Sequence, residues 1–74
     1  MAAQTYEVVA NFQADPSRAC SILSSVMENA VTYSLTLASP GIQFNFGQRR
    51  LRITLSDPLP PAEVASFAGA IVQV

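Results

Sequence analysis

Three of the chain's four cations, Arg49, Arg50 and Arg52, stand within the stretch GQRRLR at positions 47–52; Arg18 is the fourth, and there is no lysine or histidine. A planar guanidinium pairs a carboxylate through two parallel hydrogen bonds and stacks on aromatic rings. Such a cluster therefore suits an acidic protein surface or an anionic ligand. A simpler origin is strand alternation. A turn at Gly47–Gln48 followed by a strand with Leu51 facing inward would send Arg50 and Arg52 to the outer face together.

Catalytic chemistry is poorly provided for. Histidine, the commonest general base, is missing. The five acids Glu7, Asp15, Glu28, Asp57 and Glu63 form no recognisable pair. Asp15 fits a helix cap, Asp57 precedes a proline as turn residues do, and Glu63 suits the first turn of a helix. Cys20 lies near a helix start with Arg18 close by, which favours a thiolate. No base accompanies it, and a small residue beside a core stripe is the simpler reading. One cysteine excludes an intramolecular disulfide and the cysteine-rich zinc sites. Ser21, Ser24 and Ser25 read as a solvated helix face, and no glycine-rich phosphate loop is present. The expectation is a protein without catalytic activity, cofactor or metal.

Seventy-four residues make a single domain, 1–74. Half of them are apolar and 12% are charged, against a usual charged fraction of about 25%. That balance favours a filled core over disorder. A formal net charge of −1 gives little self-repulsion, so self-association into a homodimer is expected alongside a protein partner. No apolar run approaches a membrane span, and MAAQTYEV lacks the basic start and apolar stretch of a secretory signal. The expected location is cytoplasmic.

These residues need elements to position them. Tyr6, Val8, Ala10 and Phe12 alternate with Glu7, Val9 and Asn11, which predicts a strand over 5–13. Asp15 as cap and Pro16 at the first helical position open a helix over 16–30, with Ala19, Ile22, Leu23, Val26 and Ala30 on one face. Alternation then predicts strands at 31–37, 42–46 and 50–55, turning at Pro40–Gly41 and Gly47 as an antiparallel meander. Pro58, Pro60 and Pro61 break the chain. Pro61 opens a second helix whose stripe is Val64, Phe67, Ala68, Ile71 and Val72. A single crossover helix makes the first two strands parallel partners.

The fold expected is a two-layer α+β sandwich: a four-stranded, mostly antiparallel sheet in β-α-β-β-β-α order with two helices on one face. This order resembles the ferredoxin-like α+β sandwiches with the final strand and helix exchanged, and no function follows from it. On this plan Tyr6, Phe12, Tyr33, Phe44 and Phe46 all belong to the core. The open sheet face then carries no aromatic on which a base could stack, which disfavours nucleic acid.

The expected function is a small non-enzymatic protein–protein interaction module. It would act as a subunit, adaptor or inhibitor of a larger protein or complex, in the manner of antitoxins or of phage-encoded anti-CRISPRs. Its contact residues would be Arg49, Arg50, Arg52, Thr54, Asn45 and Gln43. On this view, alanine at Arg50 and Arg52 weakens binding and leaves the melting temperature nearly unchanged. The alternative is a weak nucleic-acid or anionic-ligand binder through the 49–52 arginines. Strand addition at a sheet edge offers a further route to a protein partner.

Overall fold

The computed structural model describes residues 2–74. The elements are β1 (Gln4–Val8), α1 (Pro16–Thr32), β2 (Leu37–Asn45), β3 (Arg50–Leu55), α2 (Pro61–Ser66) and β4 (Ile71–Gln73). The strands form one sheet in the order β2-β3-β1-β4, every neighbouring pair antiparallel. The class is the expected one, a four-stranded antiparallel sheet with two helices. Along the chain the elements run β-α-β-β-α-β, the split β-α-β arrangement of ferredoxin-like sandwiches without the exchange.

Several segments differ from their expected form, each for a local reason. Val31 and Thr32 continue α1. The helix then closes with Leu35 N–H donating to the Ala30 carbonyl (2.7 Å) and Ser34 N–H to that of Val31 (3.0 Å). With Ser34 at φ +59°, this is the Schellman termination, and it occupies the segment expected as a strand over 31–37. Only Leu37 of that segment is strand; it, the expected turn at Pro40–Gly41 and most of the expected strand over 42–46 run together as one strand, β2. Leu37 faces Leu55 and Ile42 faces Ile53, so the extra residues form a bulge. Gly41 at φ +76° lies within it, a conformation glycine adopts without a Cβ penalty.

The second helix ends at Ser66 and does not reach Val72. Ala68 and Gly69, at φ +53° and +84°, reverse the chain. The β-branched Ile71 and Val72 then pair with β1 as β4. β1 likewise ends at Val8 rather than at Gln13; Val9 and Ala10 bend away. Asn11 Oδ1 there accepts from the N–H groups of Gln13 and Ala14. The expected parallel pairing of the first two strands gives way to a wider arrangement. β1 and β2 run in the same direction, but β3 lies between them, antiparallel to both.

The core sits between the sheet and the helices. Tyr6 and Val8 of β1, Leu51, Ile53 and Leu55 of β3 and Ile71 of β4 meet Ala19, Val26 and Ala30 of α1. Val64 and Phe67 pack on the same cluster from the α2 side. Asp15 caps α1 as expected, its Oδ1 accepting from Arg18 N–H at 3.2 Å, and Pro16 occupies the first turn. Cys20 lies on the exposed side of α1 and not beside the core. Among the described residues, no helix is long and apolar enough to cross a membrane.

Candidate functional site

The β2–β3 hairpin places all six expected contact residues, and they separate into two groups. Gln43, Asn45, Arg50, Arg52 and Thr54 share the sheet face away from the helices, since Leu51, Ile53 and Leu55 take the core side. Thr54 is buried, its hydroxyl 2.8 Å from that of Thr5 directly across β1. Gln43 is exposed. Arg49 stands apart in the turn at residues 46–49 and is exposed.

Arg50 and Arg52 are not free. Both reach Glu7, whose side chain is only 6% exposed although it faces away from the helices. Glu7 stands opposite Arg52 on β1, at the centre of the sheet. Its Oε1 accepts from Arg52 Nε at 3.1 Å and from Asn45 Nδ2 at 3.3 Å, and its Oε2 accepts from Arg50 Nη1 at 3.3 Å. Burial by itself would raise the Glu7 pKa. The hydrogen bonds from Arg52, Asn45 and Arg50 outweigh it and hold the carboxyl below its ordinary value of 4.5.

Two guanidiniums on one carboxylate leave a residual charge of +1. Removing both arginines would strand a buried anion, so this geometry argues that alanine at these positions lowers the melting temperature, against the expectation of a nearly unchanged one. Arg50 and Arg52 are framework residues first. The sequence held the signal: among the described residues Glu7 is the only acid within a strand, on the same outward parity as the arginines. Only the strand order brings them together.

The aromatics depart further from expectation. Tyr6 is fully buried, and its hydroxyl accepts from Leu59 N–H at 2.8 Å. Phe44 and Phe46, by contrast, are 57% and 68% exposed. α1 lies over β3 and β1, whereas β2 is the outer strand. Ile42, Phe44 and Leu37, though on the helix side, therefore remain only partly covered, at 40%, 57% and 49% exposed. Phe46 lies beyond the end of β2, in the turn. Tyr33 follows α1, exposed, and its hydroxyl donates to Glu63 Oε1 at 2.9 Å. That bond to a carboxylate raises the phenol pKa above its ordinary 10.0.

Phe12, Phe44 and Phe46 form a closed trio with ring centroids 5.2, 5.8 and 5.7 Å apart in tilted and edge-to-face arrangements. Phe12 reaches it because the loop after β1 is tied to the turn: Phe12 N–H donates to the Arg49 carbonyl at 2.9 Å. Arg49 itself sits at φ +59°, an uncommon conformation for a residue with a Cβ. Among the described residues it makes no ion pair. The hairpin end therefore presents three phenyl rings and one unpaired guanidinium.

No pocket and no cluster of three or more potential metal ligands occurs among the described residues, so the candidate site is a surface. No family model, curated protein or solved structure matches the chain.

Proposed function

We propose that the protein is a non-enzymatic protein–protein interaction module. Its contact surface is the end of the β2–β3 hairpin, with Phe12, Phe44, Phe46 and Arg49 as the principal residues. One observation carries the reading: Phe44 and Phe46, two large apolar rings side by side, leave more than half of their surface in water. Aromatic rings and arginine are the side chains enriched where protein interfaces are strongest. Gln43 and Arg50, Arg52 contribute a polar rim on the other face of the same hairpin. A module of this size acts by occupying part of a larger protein or by pairing.

Phe44→Ser with Phe46→Ser tests this. The residues are exposed, so the far-ultraviolet circular dichroism should stay that of the parent. Proteins recovered with the parent from its native cell should be lost with the variant, and purified partner should bind the parent alone in calorimetry. An unchanged set of bound proteins would remove the hairpin end from consideration.

A second reading has one observation in its favour. Exposed phenyl rings beside an arginine are also what single-stranded nucleic acid stacks on. Against it stand the net charge of −1 and the neutralisation of one arginine charge by Glu7. Binding that falls steeply with salt would favour it.

A further inference from the structure

From the distribution of unused charge and apolar surface, we infer that the hairpin end docks on a second copy of this chain, against the outer strip of α1 formed by Met27, Glu28 and Val31. The inference rests on the interaction-module reading and names its partner. At the hairpin, Phe44, Phe46, Ile42 and Leu37 are all exposed. A phenyl side chain carries about 150–250 Å², so the two rings leave on the order of 100–150 Å² each. With the two aliphatic residues the patch approaches half of the roughly 800 Å² per partner that a stable interface covers. Arg49, at its border, lacks an anion; Arg18, in the first turn of α1, is the other cation without an ion pair among the described residues.

The complementary charge is found on the same chain. Glu7 is held by Arg50 and Arg52. Asp15 caps α1, Asp57 accepts from Ala2 N–H, and Glu63 accepts from the Tyr33 hydroxyl. Glu28 is the acid left over: exposed, and without an ion pair or side-chain hydrogen bond among the described residues. It lies between Met27 and Val31 in sequence and within one arc of the helix, and Val31 is 76% exposed, the most uncovered large apolar residue described. Two uncovered apolar surfaces, one bordered by a free cation and one by a free anion, fit each other. When two copies meet about a two-fold axis, each hairpin end against the other's α1 strip, both surfaces are buried on each copy and Arg49 pairs with Glu28 twice.

Light scattering across a dilution series tests the inference, with Arg49→Glu, Glu28→Arg and the double reversal beside the parent. The parent should show twice the mass of one chain. Each single reversal should weaken association at least roughly tenfold, and the double reversal should restore it. Val31→Ser, at an exposed position that leaves the core intact, should weaken association independently. A parent of single-chain mass throughout overturns the inference, as does a dimer indifferent to either reversal or a double reversal that fails to rescue. Extra mass that disappears on nuclease treatment assigns the surface to nucleic acid and overturns it too. If the parent is monomeric while Phe44→Ser with Phe46→Ser still loses a partner from the native cell, only the second copy is refuted and the interaction-module reading stands.

Discussion

Glu7 and Arg52 face each other across the β1–β3 pair, joined at 3.1 Å between the two central strands of the sheet. On the face without helices, the carboxylate of this cross-strand pair is almost shut off from water, while the guanidinium stays about a third exposed. Arg50 and Asn45 complete the network from β3 and β2, so three residues from two strands converge on one carboxylate of a third.

Replacing that carboxylate by an amide should be costly. Glu7→Gln leaves two guanidiniums without an anion. Both are just over a third exposed, so solvent screens part of the loss, and we expect about 1–3 kcal/mol of destabilisation. A urea titration measures it. Alanine at both Arg50 and Arg52 should cost more, about 3 kcal/mol or above, because the buried anion keeps only Asn45. Unshifted midpoints would show that the network contributes nothing to stability.

The same carboxylate sets an acid dependence. Its folded pKa lies below the ordinary 4.5, so between the two values the unfolded chain binds more protons than the folded one, and stability rises with pH. The contribution is fully present above 4.5 and is lost as pH falls through the folded pKa. Denaturation midpoints of the parent should therefore drop on acidification through this window, and those of Glu7→Gln should drop less. Parallel curves would separate the acid response from Glu7.

Arg49 offers a test of strain. Its left-handed backbone costs about 1–2 kcal/mol. Glycine removes that cost but adds about 0.4–1 kcal/mol of unfolded-state freedom. Arg49→Gly should thus be more stable than the parent by roughly 0.5–1 kcal/mol, as the difference of these two terms, whereas Arg49→Ala should match the parent. Thermal melts distinguish them. Equal melting temperatures for the glycine and alanine variants would show that the strain is no larger than the unfolded-state freedom glycine adds, about 0.4–1 kcal/mol.

Tyr6→Phe removes one oxygen from a fully buried side chain and changes little else. The Leu59 N–H then loses its acceptor in the core. An unsatisfied buried donor costs about 1–3 kcal/mol, large for so small a domain. Calorimetric melting would register it, and an unchanged melt would mean that another acceptor reaches Leu59.

Much of this architecture could be read from the residues one at a time. Asp15–Pro16 announced the helix, and the inward parity of Leu51, Ile53 and Leu55 fixed which way Arg50 and Arg52 point. What escaped depends on partners distant in sequence. Val31, Tyr33, Leu35 and Leu37 alternate as a strand does, yet the helix keeps Val31 and closes at Ser34 because its carbonyls find donors there. Ile71 and Val72 suit a helix stripe and a strand equally, and Gly69 decides between them by turning the chain. Phe44 has the parity of a core residue but sits on the outermost strand, beyond the cover of α1. Parity tells which face a side chain takes; strand order tells whether anything covers that face.

The bulge between Leu37 and Ile42 has a consequence for how the protein behaves when crowded. Fibrillar stacking requires flat segments of about six or seven residues. The outer margin of β2 offers only Ile42–Asn45 beyond the bulge, and the opposite margin, β4, has 3 residues. Neither is long enough to template endless growth of strands. If the exposed phenyl rings do bring copies together, the contact should be one of side chains, since neither folded edge offers a long, flat strand for another backbone to pair with.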